Sequence, residues 1–480
     1  MKSKEVPPFA PILIESTRAI GYSLEAAIAD ILDNSIAAGA RNADIFFYPL
    51  GEAYVAILDD GVGMDEAQID IAMQYGSTSP LAKRNAHDLG RFGLGLKTAS
   101  LSQCRCLTVL SKKGSSIEGR RWDIDHVCKT QTWSLLILSD EEATHVPCFE
   151  KLYKKQSGTL VVWQNLDRMK VGETNFEQSM SRKMTDVRKH LSLVYHRYLA
   201  GESGLKKIAV SMNDEPLVPF DPFISKKSYQ AMDDEVLKVR GQKVVIRPYI
   251  LPHLSKLTAK EIEALGGKDG LRRQQGFYIY RNKRLLIWGT WFRMMRQADL
   301  SKLARIQVDL PNSLDDLWTL DIKKSSAVPP AELRKSLEAV IAKIADKSKQ
   351  TWAYRGKKEV SDSIAHIWTR IKLPNSDIRY ELNRDHPLIE QAVDSSHDKS
   401  AVEAMLRQIE MSLPINQLYV DLNGDERINN EDQQSCAEIE QLLTKLLAGC
   451  SSDVARKELC DRLQYTEPFS NCPSVLKKYL

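Results

Sequence analysis

Between Tyr22 and Ala40 the positions Leu24, Ile28, Ile31 and Ser35 recur at the spacing of one helical face, and Gly39 supplies a natural stop. The pattern predicts one helix. Two short runs rich in β-formers follow, Ala43 to Pro49 and Ala53 to Leu58, and the intervening Leu50-Gly51-Glu52 makes them a hairpin. From Gly76 to Gly90 the periodicity dissolves into Gly, Ser, Thr, Pro80 and mixed charge, the composition of a long loop. A second helix is predicted from Gly95 through Ser102, after which strands alternate as far as Gln164. Residues 177 to 200 carry Leu191, Val194, Tyr195 and Tyr198 as an apolar stripe and predict a helical connection. A second mixed region begins at Lys206, with strands near 207–212, 243–250, 276–281 and 305–309. It closes on an amphipathic helix after Pro329-Pro330, where proline suits the first turn. Beyond Lys349 the pattern is more polar and mostly helical.

Composition adds limits. At 480 residues the chain holds roughly two or three domains, and 43% hydrophobic with 27% charged residues is ordinary for a globular protein. Apolar runs stop well short of the roughly 18 residues that span a bilayer. The first residues, MKSKEVPPFAPILIES, lack the apolar stretch of a signal peptide, so a cytoplasmic protein without a membrane role is expected. The eight cysteines form no paired CxxC knuckles, which gives zinc little support, and reduced thiols are expected. Cys104 and Cys106 read as packing residues alternating along a strand. Net charge is only +4, but between Lys268 and Arg305 ten basic residues face two acidic ones, interleaved with Phe277, Tyr278, Tyr280, Trp288, Trp291 and Phe292. Two readings stay open for this stretch: a phosphate-facing surface, or a buried core with a solvated basic rim.

Four short segments carry candidate chemistry. Asp30 and Asn34 are four apart in the first helix and share a face. A carboxylate there can orient a water, and an amide oxygen one turn on can ligate Mg²⁺; a solvated polar stripe is the plainer alternative. Asp59-Asp60-Gly61-Val62-Gly63-Met64 follows an apolar strand, where a carboxylate can accept from an exocyclic amine and glycines let a flat base approach the backbone. Gly90-Arg91-Phe92-Gly93-Leu94-Gly95-Leu96-Lys97-Thr98 enters a helix, with glycines to curl around phosphates and a lysine as counter-charge. It satisfies neither GxxxxGK[ST] nor GxGxxG. Ser157-Gly158-Thr159 opens a strand, and its hydroxyls could complete the recognition of a base.

In this order and spacing the four segments resemble the N, G1, G2 and G3 boxes of the GHKL ATPase superfamily, and the chain most resembles its prokaryotic MORC-like and MutL-like members. The resemblance implies an α/β protein: a GHKL-type ATP-binding α/β sandwich in residues 1–200, an α/β transducer domain in 201–348 and a mostly helical C-terminal region in 349–480. It implies ATP and Mg²⁺ as cofactors. Asp30 would be the catalytic carboxylate, Asn34 the metal ligand and Asp59 the adenine acceptor. Gly61, Gly63, Met64, Gly90, Gly93, Leu94, Gly95, Leu96, Lys97, Thr98 and Thr159 would line the nucleotide, with residues 76 to 89 as its lid. Lys324, with Lys323 as the alternate, would reach the γ-phosphate from the transducer. Most members that hydrolyse ATP have glutamate where Asp30 stands, so slow turnover is expected.

The family further implies an ATP-dependent homodimer acting as a clamp on DNA, in genome maintenance or in defence with restriction-type partner proteins. Two rivals are a chaperone acting on protein clients and a histidine kinase. Against the kinase, the first histidine is His87, already inside the lid. Residues 421 to 432 space oxygens like a calcium loop, but Glu426 stands where the sharp turn wants glycine, and a polar turn is the preferred reading. No chemistry attaches to the His386-Pro387 pair.

Overall fold

The computed structural model describes all residues except 1–2, 5–7, 20, 77–94, 231–232, 253–255, 298–300, 315–328, 354–364, 373–377, 416–417, 419–435, 449–452 and 479–480. Gly90, Gly93, Leu94, nearly all of the expected lid, Lys323, Lys324 and the calcium-like loop therefore lie outside the described residues. Two units are distinguished, Met1–Ala353 and Tyr354–Leu480.

The first unit opens with an eight-stranded sheet made of β1 (Asn42–Tyr48), β2 (Tyr54–Asp59), β3 (Cys106–Lys113), β4 (Ser116–Asp123), β5 (Leu136–Ile137), β6 (Gly158–Gln164), β7 (Ala209–Met212) and β8 (Glu215–Pro216). Its order is β5-β4-β3-β6-β2-β1-β7-β8. The predicted β1–β2 hairpin forms, with Ala43 opposite Asp59. β2 also pairs with β6, so it runs through the middle of the sheet. Val55 and Ile57 point to one face and Ala56 and Leu58 to the other, the strict period of a strand, and all four are buried.

Two cores cover these faces. One packs against α1 (Ala10–Arg18), α2 (Leu24–Ala37), α3 (Glu66–Met73), α4 (Gly95–Leu101), α5 (Ile124–Thr130) and, farther on, α8 (Asp167–Lys170), α9 (Phe176–Val194) and α10 (His196–Ala200). The other, smaller core is closed by α6 (Asp140–Thr144) and α7 (Phe149–Tyr153). α2 is shorter than the predicted Tyr22 to Ala40. The Ser23 side chain accepts from the Ala26 N–H at its start, and Gly39 at φ +74° turns the chain out of it. Cys104 does not alternate with Cys106 along a strand: it precedes β3, and its buried thiol donates to the Ser100 carbonyl.

The second sheet contains β9 (Tyr229–Gln230), β10 (Glu235–Val239), β11 (Gln242–Ile250), β12 (Gly276–Arg281), β13 (Arg284–Thr290) and β14 (Ala304–Leu310). Its order is β10-β11-β14-β12-β13, with β9 on β11. α11 (Ala259–Ala264) and α12 (Gly267–Arg273) intervene between β11 and β12. The predicted helix after Pro329-Pro330 is α13 (Ala331–Ala353). Its Leu333, Leu337, Val340, Ile341 and Ile344 recur at helical spacing and join Ile246, Phe277, Ile279, Ile306 and Val308 in one core. On the sheet's other face Tyr278, Tyr280 and Leu285 pack with Phe223 and with Leu193 of α9.

This arrangement settles the basic, aromatic stretch in favour of a core. Phe277, Tyr278, Tyr280 and Trp291 are buried, as are Arg281, Arg284, Lys302 and Arg305. Among the described basic side chains of this stretch, Arg272, Arg273, Arg293 and Arg296 are exposed and form its rim.

The second unit holds the antiparallel hairpin β15 (Trp368–Lys372) and β16 (Ile378–Leu382), then α14 (Pro387–Asp394), α15 (Lys399–Met411), α16 (Cys436–Ala448), α17 (Asp453–Leu463) and α18 (Pro473–Leu476). The helical expectation holds apart from the hairpin. Cys436 and Cys472 form a disulfide, which overturns the expectation of reduced thiols for this pair. His386 caps α14, accepting from the Leu388 N–H, while its Nε2 meets the Glu467 carbonyl at 2.8 Å. Its role is structural.

Candidate active site

α2 and the end of β2 form the centre of the site. Asp59 is the last residue of β2, only 6% exposed. Its Oδ1 accepts from the Gly61 N–H at 2.9 Å and the Thr159 N–H at 3.2 Å, and its Oδ2 accepts from the Ser35 hydroxyl at 2.8 Å. Every donor is neutral. Burial is the largest influence on this carboxyl and pushes its pKa above the ordinary range, and the three hydrogen bonds only partly offset it. Oδ2 keeps an acceptor position for a further donor.

The loop after Asp59 is held by contacts that exclude side chains. At Gly63 φ is +68°, and a Cβ would stand 2.0 Å from the Lys112 carbonyl oxygen. At Gly158 a Cβ would stand 2.1 Å from the Asp59 carbonyl oxygen. The Met64 N–H donates to Ser111 Oγ at 2.8 Å, and that oxygen lies 3.0 Å from Thr159 Oγ1. Ser111 and Thr159 face one another across β3 and β6, which brings the second and fourth motifs together.

These groups open onto a cavity of about 1180 Å³, lined among others by Asp30, Asn34, Asp59, Gly63, Met64 and Thr159. Asn34 is exposed into it, whereas Asp30 is nearly covered and its Oδ2 lies 3.2 Å from the Tyr22 hydroxyl. Gly95, Leu96, Lys97 and Thr98 contribute the wall formed by α4. The Gly95 backbone packs close to Asp30: a Cβ there would lie 3.5 Å from Oδ2. Lys97 is placed differently from a free counter-charge. Its Nζ donates to the carbonyls of Ala72 at 2.7 Å and Gln74 at 2.9 Å, at the end of α3. Burial lowers its pKa to about 8.

Thus Asp30, Asn34, Asp59, Gly63, Met64, Gly95, Leu96, Lys97, Thr98 and Thr159 line one cavity, and Gly61 lies directly behind Asp59. Sequence reasoning missed Ser35 and Ser111. Ser35 was legible as the residue beside Asn34, on the core side of the same helix. Ser111 had no local signal, because its importance arises from strand register.

Residues 22–159 match the family described as Histidine kinase-, DNA gyrase B-, and HSP90-like ATPase. The N-terminal part of this chain is a GHKL ATPase domain. It has distant similarity to MutL. The DNA mismatch repair protein MutL of Rickettsia prowazekii (strain Madrid E) is 28% identical over 87 residues, 18% of this chain and 15% of that protein. MutL of Rhodospirillum rubrum is 30% identical over 116 residues, 23% of this chain and 18% of that protein. The chain therefore matches less than a fifth of the length of these relatives. A solved structure described as the N terminal domain of a DNA repair protein is 17% identical, with a TM-score of 0.44 over 71% of this chain and 98% of that one. Among the described residues no helix is long and apolar enough to cross a membrane.

Proposed function

We propose that the cavity binds Mg-ATP and that the chain is an ATP-gated, slowly hydrolysing homodimer that closes on DNA. One observation carries this reading: Asp59 is a buried carboxylate with only neutral donors, opening on the same cavity as the exposed amide of Asn34. In this reading Asp59 accepts from the exocyclic amine of adenine, with Gly61 and Gly63 admitting the flat base and Met64 and Thr159 beside it. Asn34 ligates Mg²⁺ through its amide oxygen; that ion takes few protein ligands and keeps waters and phosphate oxygens, so one amide fits. When bound, it offsets the charge of the phosphates.

Asp30 acts as general base. It takes a proton from water as the water oxygen bonds to the γ-phosphorus, and the bond to the β–γ bridging oxygen breaks, releasing ADP and phosphate. Aspartate is shorter than glutamate by about 1.5 Å, and a misplacement of about 1 Å costs on the order of a hundredfold in rate, hence slow turnover. Gly90, Gly93, Leu94, Gly95, Leu96, Lys97 and Thr98 surround the phosphates in this reading. Lys324, or Lys323, reaches the γ-phosphate from the transducer expected in residues 201–348, of which β7 and β8 pair onto the first sheet. Contact with that phosphate would make closure depend on ATP rather than ADP. Similarity to MutL, named as a DNA mismatch repair protein, supports DNA as the partner in genome maintenance; defence with restriction-type proteins is the alternative setting.

Size-exclusion chromatography with ADP, ATP and a non-hydrolysable analogue tests the gating. Dimers form with the analogue and not with ADP, and Asn34→Ala abolishes them. Dimers indifferent to nucleotide would remove the gating and leave the pocket.

A further inference from the structure

α2 has a further carboxylate besides the assigned Asp30, and it is buried. Asp33 is 2% exposed, and its Oδ1 lies 2.6 Å from the Tyr195 hydroxyl and 3.0 Å from Nε of Arg284. The same Tyr195 hydroxyl lies 2.6 Å from the Ala29 carbonyl, so one ring oxygen touches α2 at two successive turns. Arg284 comes from β13 of the second sheet, 251 residues away along the chain, and is itself buried. Its guanidinium lies over the Tyr195 ring and donates to the Leu285 carbonyl at 3.2 Å.

The delivery of Arg284 is built with care on both sides. β12 and β13 are joined by the two-residue turn Asn282-Lys283, with φ of 47° and 69° and Arg281 paired to Arg284, the geometry of a tight hairpin. The Tyr198 hydroxyl of α10 donates to the Asn282 carbonyl at 2.7 Å. Lys283 donates to Asp309 of β14 at 3.0 Å, and Arg197 of α10 donates to both oxygens of Asp309. The turn is therefore held from α10 and from within its own sheet, and the position of Arg284 follows from both. Burial pulls the Arg284 pKa down, but Asp33, Tyr195 and Asp30 more than offset it, so the group stays charged.

We propose that Arg284 is a positioning residue for the nucleotide site: through Asp33 it fixes the rotation and register of the α2 face that presents Asp30 and Asn34. This rests on the Mg-ATP reading above. Asp33 precedes Asn34 by one residue, a rise of about 1.5 Å, so a shift that repairs the Asp33 contact must move the amide with it. Removing the guanidinium takes the cation of β13 away from a buried carboxylate, and α2 turns to rehydrate it. The consequence is selective. Adenine recognition stands on Asp59, which α2 reaches only through the Ser35 hydroxyl while Gly61 and Thr159 hold its other oxygen, whereas Asp30 and Asn34 of the metal and phosphate end are carried by α2 itself.

The test uses the full chain and isothermal calorimetry with two probes, Mg²⁺ with a non-hydrolysable ATP analogue, and adenosine alone, on wild type, Arg284→Met, Arg284→Lys and Tyr195→Phe. Arg284→Met weakens the Mg²⁺-dependent ligand about tenfold and adenosine by less than about twofold, while Arg284→Lys recovers most of the loss. Tyr195→Phe shows the same pattern at about threefold, and together with Arg284→Lys it decides the matter where Arg284→Met does not fold. Equal weakening of both probes would make Arg284 mere cement and overturn the proposal, as would no weakening of either. A wild-type protein that binds neither probe would instead overturn the Mg-ATP reading.

Discussion

Asp59 and Asp309 are both nearly buried aspartates on strands, and their surroundings oppose one another. Asp59 meets only neutral donors, from Gly61, Thr159 and Ser35, and burial holds its pKa up. Asp309 is also pushed up by burial, but Arg197 and Lys283 more than offset that and hold it below the ordinary range. A carboxylate that already has its cations is part of the frame, as a buried pair must be to survive desolvation. A carboxylate oriented by dipoles alone, beside a cavity, keeps capacity for a donor that arrives from outside. The first sheet therefore carries the site, and the polar face of the second sheet carries the joint.

The sharpest way to break this comparison is to exchange the expected losses. Asp309→Ala removes the carboxylate shared by Lys283 and Arg197, leaves Arg197 paired with Glu202, and lowers unfolding free energy by about 2 kcal/mol, measured in urea, with nucleotide affinity kept in the folded fraction. Asp59→Asn does the reverse: affinity for Mg-ATP falls about ten- to a hundredfold in calorimetry, and unfolding changes less than for Asp309→Ala. Comparable stability losses in both variants would erase the distinction.

Acid separates the regions next. Burial, the largest influence, lowers His190 and His196 to about 4; His190 lies near Arg284 and Asp33, and His196 near Arg197, Glu202, Asp221 and Asp309. Both pack against the second sheet, through Trp288 and Tyr280. Because the folded pKa lies below the unfolded value of about 6.5, the unfolded chain takes up protons first as pH falls. Stability is then complete above pH of about 6.5 and is lost toward pH of about 4, on the order of 1–2 kcal/mol per histidine by pH of about 5. A flat unfolding profile between pH 7 and 5 would contradict this. The smallest expected change sharpens the site itself: Asp30→Glu raises steady-state phosphate release about tenfold by moving the carboxylate toward the water. Unchanged or slower release would remove length as the cause of slow turnover.

The parts of this architecture that were legible in the sequence are the locally determined ones. α2 and the β1–β2 hairpin follow from period and turn chemistry, and Asp59, Asn34 and Thr159 from motifs whose strand and helix contexts could be read beside them. What escaped depends on register or on distant chain. Ser111 matters because β3 pairs with β6 in one particular register. Arg284 matters because a turn 251 residues away reaches Asp33. The basic, aromatic stretch stayed open between a surface and a core because a strand buried on both faces loses the alternation that identifies an inside, and buried arginines such as Arg305 look solvated in a sequence. The β15–β16 hairpin was hidden by the polar character of Arg379 and Glu381, and the Cys436–Cys472 bond by its separation of 36 residues.

The account stands most directly on whether the cavity beside Asp59 and Asn34 takes Mg-ATP. Titration of magnesium and ATP into the wild-type chain in a calorimeter should give saturable heat, which Asn34→Ala diminishes only when magnesium is present and Asp59→Asn diminishes with or without it. An absence of heat with the wild-type protein, or equal heat in all three proteins, would contradict the assignment of the site.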